Sequence, residues 1–535
     1  MTTNDTLNKI LGDGKATRRE FLVTAAGLGV AIPVASVMWS NAAKAQPSKG
    51  GHLRAGVSGG NVGDSLNPAL WTDTFMLSVG ATIRDNLTEV APDNSIRGGV
   101  AESWEPSGDA TKWVFNLRKG VEFSNGKTLD TDDVISSINL HRGGDSKSGA
   151  KGVLAGVQEV VADGKGKVVF KLSSGNADFP FLLSDYHLNI LPSKDGKADW
   201  QSGIGTGAYV LEEFNPGVKA TFKLNPNRWQ QDTGFVESAD LLGIDDVNAR
   251  QSAMITGDLE VINKPDLKTI GLFSRNKRIK IVDVPGRIWH AMIMQISTPP
   301  YENNDLRMAL KYGIDREDYL KKILYGYGTL GNDNPIGKAS RYYAADIPQR
   351  VYDLDKARYY LKKSGHAASK FDLHAGEVFP GAVDAAVLYQ EQAAKAGIDI
   401  NVVRHPSDGY FSEVWNVLPF CIVWWGPRIT EDLILSLAFL SGTPWNDTRI
   451  SNKKLDELII GARAELDERK RAEMYRDVQL IISNEGGDVV PAFANLVHAI
   501  SDKVGVPTDD AGNWKIAGSW ELDGGHFLKR WWLNG

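Results

Sequence analysis

An α/β fold is predicted by two stretches in the second half of the chain and by the chain's length. Ala382 to Ala396 reads as a helix stopped by Gly397, and Ile398-Asp399-Ile400-Asn401-Val402 follows at once as a strand. A helix, a glycine stop and a strand in direct succession are the grammar of α/β domains, where a helix covers a sheet face and the chain returns through a short turn. Asp353 likewise opens a helix that ends at Gly365, with Ala357, Tyr360 and Leu361 on one face. The chain has 535 residues, too many for one ordinary core, which predicts two or three domains.

The first 45 residues read as an export signal. Residues 1–20 are polar and carry Arg18-Arg19, Phe21 to Trp39 has no charge, and Ala43-Lys44-Ala45 gives a small-x-small cleavage site before Gln46. Thr17-Arg18-Arg19-Glu20-Phe21-Leu22 resembles the twin-arginine signal of folded export. A membrane anchor is the weaker reading, because the apolar stretch is rich in Ala and Gly and contains Pro33. No cysteine follows it, so lipid attachment there is excluded. Without 1–45 the chain keeps 55 basic and 63 acidic residues, net −8.

In the remaining chain, His52 to Val57 alternates weakly and reads as a strand, followed by a turn-rich loop from Ser58 to Pro68. Strands are predicted at 113–118, 168–172 and Tyr209-Val210-Leu211, with a tight turn at Asn125-Gly126. Asp130 to Asn139 reads as a helix whose acidic start suits the positive N-terminal end of the dipole. Leu455, Leu458, Ile459 and Ala462 share one helical face; Met474, Tyr475, Val478, Ile481 and Ile482 share another, ended by Gly486-Gly487. Such stripes are core packing.

Composition excludes several function classes. Net charge is −6, so no general basic field exists to hold nucleic acid. The single cysteine, Cys421, cannot form an internal disulfide or a cysteine metal cluster, and none of the nine histidines is three or four residues from another. No metal and no cofactor is expected. Gly56-Val57-Ser58-Gly59-Gly60 fits the G-x-S-x-G elbow of hydrolases, but an elbow follows a central strand of a sheet already built, and no base or acid is placed nearby. Gly120 to Gly126-Lys127-Thr128 has five residues between its glycines, one too many for a phosphate-binding P-loop, and an acidic helix start follows. Gly203-Ile204-Gly205-Thr206-Gly207 leads into a strand, not into the helix that a dinucleotide site requires. The 15 Trp, with pairs at Trp424-Trp425 and Trp531-Trp532, are more informative, since Trp offers a flat apolar surface with one polar handle.

Several segments together resemble the bacterial extracellular solute-binding proteins of family 5, which serve ABC importers of peptides, nickel complexes and opines. They are Gly50-Gly51-His52-Leu53-Arg54 with Asp64 to Pro68; Ala101-Glu102-Ser103-Trp104 with Trp113 to Gly126 and Asp132-Asp133-Val134; and Gly205 to Tyr209 with Asn225-Pro226-Asn227-Arg228-Trp229. Leu306 to Leu310 with Ile314 to Glu317, Asp353 to Gly365 and Gly397 to Ile400 continue the series, so that the resemblance runs over nearly all of 50–510. It implies a two-lobed α/β periplasmic binding protein (type II, cluster C) with an extra domain inserted in the first lobe. The implied division is lobe 1 at 46–88, 201–298 and 496–535, the insertion at 89–200, and lobe 2 at 299–495. The two lobes would close over a solute and present the closed form to the membrane permease subunits of the importer. Such a protein is a periplasmic monomer, binds no nucleic acid and is not an enzyme.

One departure bears on the ligand. Peptide-binding members of the family read Trp-x-Gly-Asp-Tyr-x-Asp-Pro in lobe 2, with the first Asp pairing the peptide's amino group. Here Trp424-Trp425-Gly426-Pro427-Arg428-Ile429-Thr430-Glu431-Asp432 stands in that place. Pro427 replaces the carboxylate and Arg428 the tyrosine. Since an arginine answers a carboxylate or phosphate, the expected ligand is peptide-like or opine-like and carries an anionic group facing Arg428, with Trp424 or Trp425 covering its body at Gly426. A metal complex and an oligosaccharide are the alternative solutes. Arg428 could instead pair with Glu431 or Asp432, three and four residues on. Asn67 and Trp71 in the first-lobe opening loop, and Tyr410, Trp445 and Asn446 in second-lobe loops, are further candidate contacts.

Overall fold

The computed structural model describes residues 18–28, 30, 47–518 and 520–534. The cleavage site at 43–45 lies outside the described residues; the start of the apolar stretch is helical over Arg18–Gly27. Among the described residues no helix is long and apolar enough to cross a membrane.

One twelve-stranded sheet organises the molecule. In chain order its strands are β1 (His52–Val57), β2 (Tyr209–Asn215), β3 (Lys219–Leu224), β4 (Ser238–Gly243), β5 (Val261–Asn263) and β6 (Ile279–Met294). They continue with β7 (Gly328–Leu330), β8 (Lys370–Ala375), β9 (Asp399–Arg404), β10 (Phe420–Trp425), β11 (Asp488–Val489) and β12 (Ala492–Ser501). The spatial order is β2-β3-β4-β1-β5-β12-β6-β10-β8-β9, with β7 on β12 and β11 on β6. β1 runs parallel to β4 and β5, and β8 parallel to β9 and β10.

The sheet is really two sheets joined by one antiparallel pair. β6 and β12 each serve both halves. Ile279 to Val284 pairs with Leu496 to Ser501 in the first lobe, and Ile288-Trp289 pairs with Phe493-Ala494 in the second. Between them the register shifts at Pro285-Gly286-Arg287. Proline cannot donate to a ladder, and a Cβ on Gly286 would come within 2.4 Å of the Ala494 carbonyl. A side chain at position 286 is therefore excluded from this bulge, which lies where the two halves of the sheet join.

Strand alternation builds the second lobe's two cores. Met292, Met294, Phe420 and Ile422 face the helices Asn304–Tyr312, Leu354–Ser364 and Ala382–Ala394. Trp289, Ala291, Ile293, Cys421, Val423 and Trp425 face Lys453–Ala464 and Glu468–Glu485. The sequence stripes land as core: Leu455, Ile459, Ala462, Tyr475, Val478 and Ile482 are buried. Gly365 caps its helix at φ 78°, a left-handed conformation that favours glycine.

A separate four-stranded antiparallel sheet is formed by Ala101–Pro106, Lys112–Leu117, Lys167–Leu172 and Val157–Ala162, in that spatial order. It has its own core of Phe115, Val134, Phe170 and Phe179. Its helix Thr131–Leu140 is opened by Asp130 and Asp133 in a reciprocal capping box. Lys127 of the rejected P-loop is paired with Asp133 at 2.6 Å.

The C-terminal segment returns to the first lobe through buried charges. Lys529 Nζ donates to Asp85 and Glu89 at 2.7 and 2.6 Å, and Arg530 donates to Glu89 and Asp523 at 2.6 and 2.7 Å. Five buried ions, two cations and three carboxylates, satisfy one another and fix where this segment lies.

Candidate functional site

Strand β10 ends at Trp425, and the turn 426–429 leads into the helix Glu431–Ala438, capped by the Thr430 hydroxyl. In open α/β sheets, ligands bind beyond strand ends of this kind. Trp425 is fixed by its neighbours: it stacks on Trp289 of β6 with ring centroids 5.9 Å apart and planes 8° from parallel. The turn is fixed from the bulge, where Arg287 Nη1 donates to the carbonyls of Arg428 (3.2 Å) and Ile429 (2.8 Å). The segment that bends between the lobes thus grips the loop that carries Arg428.

A cavity of about 520 Å³ lies between this loop and the first lobe. Trp415, Trp424, Trp425 and Trp445 make its second-lobe wall, with Arg428 and Gly426 among them. Trp415 meets Trp425 and Trp445 edge-to-face at centroid distances of 6.0 and 5.7 Å. Beneath them the buried Asp447 accepts from both indoles through one oxygen, Trp415 at 2.9 Å and Trp425 at 3.2 Å. Burial pushes the Asp447 carboxyl up to about 7 against the pull of those two indoles. Across the cavity stand Lys264, Trp520 and Glu521 of the first lobe.

The pairing of Arg428 is resolved. Glu431 accepts from the Arg341 backbone at 2.8 Å, and Asp432 is held by Arg463 at 2.9 Å. Arg428 Nη1 donates only to the Gly426 and Pro427 carbonyls, at 3.2 and 3.0 Å. No carboxylate among the described residues answers its charge. Burial lowers its pKa from the ordinary arginine value, which the nearby Tyr186 hydroxyl partly offsets. A half-buried guanidinium with two backbone contacts keeps donors for an anion.

The structure brings together Trp424, Trp425, Gly426, Arg428 and Trp445 on this cavity, Trp424 being 37% and Trp445 45% exposed. It does not bring the other four candidates there. Tyr410 is buried, and its hydroxyl donates to the His374 and Ile422 carbonyls. Asn446 is buried, and its amide donates to the Leu440 and Ile450 carbonyls. Trp71 packs in the first lobe's core with its indole on the Ser65 carbonyl, and Asn67 caps the short turn Pro68–Leu70. All four lie away from this cavity, and their polar atoms are bonded to nearby backbone. Ser58 Oγ accepts from the Asn263 amide at 3.1 Å rather than donating to a base.

Sequence reasoning missed Trp415, Lys264, Trp520 and Glu521. Trp415 lies in an irregular loop, and the other three reach the cavity only because β5 and the C-terminal return lie across from β10. Among the described residues no group of three or more His, Cys, Asp or Glu is placed to hold a metal ion.

Comparison with known proteins agrees with this architecture. The model of bacterial extracellular solute-binding proteins, family 5 Middle, matches residues 95–447. A dipeptide-binding protein of Escherichia coli is 24% identical, covering 78% of this chain and 83% of that protein. A glutathione-binding protein of Salmonella paratyphi A is 25% identical, covering 82% and 88%. Among solved structures, HbpA2 from Haemophilus parasuis superposes with a TM-score of 0.77 at 20% identity, over 88% of this chain and 99% of that one.

Proposed function

We propose, on the premise that this chain belongs to the bacterial extracellular solute-binding proteins of family 5, that it captures a peptide-like or opine-like solute bearing an anionic group. Arg428 receives that group and Trp424 covers the body of the solute. The observation that carries this reading is the half-buried Arg428 on the cavity wall, whose two neighbouring acidic residues are committed to other partners. The named solutes of the relatives, a dipeptide and glutathione, both carry carboxylates.

The mechanism follows from the connection between the lobes. Arg428 and the tryptophans belong to the second lobe, Lys264, Trp520 and Glu521 to the first, and only a solute between them touches both walls. Binding therefore draws the population toward the closed form, and the permease subunits of an ABC importer read that form. The inserted domain spans 89–200 in this proposal, lobe 2 spans 299–495, and the exported monomer begins at Gln46 after a twin-arginine-type signal. N-terminal mass analysis of periplasmic protein tests the last point.

The test of the ligand reading is titration of glutathione and of dipeptides into wild-type protein and Arg428→Ala. A charge-assisted hydrogen bond contributes about 1.5–3 kcal/mol, so affinity for a carboxylate-bearing probe falls by about 10- to 150-fold. Unchanged affinity in Arg428→Ala refutes the reading.

A further inference from the structure

The first-lobe wall of the cavity carries a carboxylate that the fold compensates only weakly. Glu521 is 5% exposed and lines the cavity. Its nearest cation, Lys264 Nζ, is 3.9 Å from Oε1 on a side chain that is 51% exposed. Its other oxygen, Oε2, accepts no hydrogen bond. His498 Nδ1 is 3.4 Å from Oε2 without hydrogen-bond geometry. The Leu522 backbone N–H donates to His498 Nε2, so any proton on the neutral ring sits on Nδ1, and burial depresses the imidazole pKa to about 3. Arg250, the other cation in range, turns Nη1 to the Ile244 and Asp245 carbonyls and Nη2 to the Lys264 carbonyl, and hydrogen-bonds no oxygen of Glu521. A buried carboxylate left with one distant exposed cation is costly unless something else completes its shell.

The backbone is strained at this wall as well. Leu522 and Asp523, immediately after Glu521, have φ of 52° and 60°, and Lys264 has φ of 44°. Left-handed conformations at non-glycine residues persist only where the surroundings enforce them, and they gather at ligand sites. Here the enforcement is visible: Asp523 Oδ1 accepts from the Ala517 backbone and from Arg530, both at 2.7 Å. The indole Nε1 of Trp520, next to Glu521 and on the same wall, has no acceptor.

We infer that Glu521 is the group that receives the cationic amine of the solute, placed in the first lobe across the cavity from the Arg428 guanidinium of the second. This rests on the Arg428 reading above and adds a second specificity determinant to it. The solute is then a zwitterion whose amine and acid are held by different lobes. Neither lobe alone satisfies both charges, so closure is tied to the presence of both.

The experiment uses two probes, L-alanyl-L-phenylalanine and glutathione, each with a free and with an N-acetylated amine, titrated into the purified protein. The dipeptide is also used as its C-terminal amide. In wild-type protein N-acetylation weakens binding by about tenfold or more. In Glu521→Gln the free amines weaken by a similar factor, while the acetylated forms keep their wild-type affinity. In Arg428→Ala it is the preference for the free carboxylate over the amide that disappears, so the two failures are told apart. Glu521→Gln retaining the full preference for the free amine overturns the inference, and so does the failure of every amine-bearing probe to bind. Should that variant not fold, wild-type protein decides alone: equal affinity for free and acetylated forms overturns it.

Discussion

Replacing Asp178 with Asn tests whether the lobes are latched away from the ligand. Asp178 belongs to the segment beside the four-stranded sheet, and Arg471 lies on the second-lobe helix Glu468–Glu485; both side chains are 1% exposed. Arg471 Nη1 donates to Asp178 at 2.7 Å, Arg341 stands 3.3 Å away, and the Ala177 backbone donates to the Arg463 carbonyl at 2.7 Å. Removing one partner of a buried ion pair costs about 3–5 kcal/mol. The low end applies, because Arg471 keeps its bond to the Ala462 carbonyl and its place 5.2 Å over the Tyr342 ring. On the latch reasoning, both charges meet water when the lobes separate, and the penalty then falls on the closed form. About 3 kcal/mol corresponds to a loss of roughly two orders of magnitude in affinity, although Asp178 does not line the cavity. Titration calorimetry with the best-binding probe reads the affinity, and small-angle X-ray scattering of the ligand-free protein reads a shift toward a more extended form. If Asp178→Asn leaves both unchanged, or lowers only the melting temperature, the latch reasoning is refuted.

Other outcomes follow from the same geometry. Because the folded Asp447 carboxyl titrates near 7 rather than near 4, the native state holds a proton there that the unfolded chain has released. This group's stabilisation is complete below about pH 4 and is lost as pH rises toward 7. Asp447→Asn, followed by thermal melting from pH 4 to 8, flattens that part of the profile; an unaltered profile contradicts the assignment. Lys264→Gly relieves a left-handed backbone at φ 44° and stabilises the protein by about 1 kcal/mol, read as a raised urea midpoint. A lowered midpoint shows that the Lys264 side chain contributes more than its backbone strain costs.

Local elements and the family are legible in short contiguous stretches of the chain. Asp130, Asp353 and Gly365 announce helix ends because capping is a contact between near neighbours, and the Ala382–Gly397–Val402 order announces α/β packing because its parts are contiguous. That Trp424, Trp425, Gly426 and Arg428 line one cavity is legible for the same reason, since they are consecutive or nearly so. The partner of Arg428 was not legible. Spacing made Glu431 and Asp432 equal candidates, and only the fold shows Arg341 and Arg463 claiming them. Tyr410, Asn446, Trp71 and Asn67 are polar or aromatic loop residues, a kind that often binds; here Asn67 caps its own turn, Asn446 bonds the Ile450 carbonyl, and Trp71 and Tyr410 turn to the more distant Ser65 and His374 carbonyls. Glu521 and Lys264 lie 257 positions apart in the chain and meet on one wall because β5, β12 and the C-terminal return are neighbours in the first lobe. A cleft is made by juxtaposing surfaces from distant parts of a chain, so its chemistry is settled by the tertiary structure, while the elements that line it are settled by neighbours.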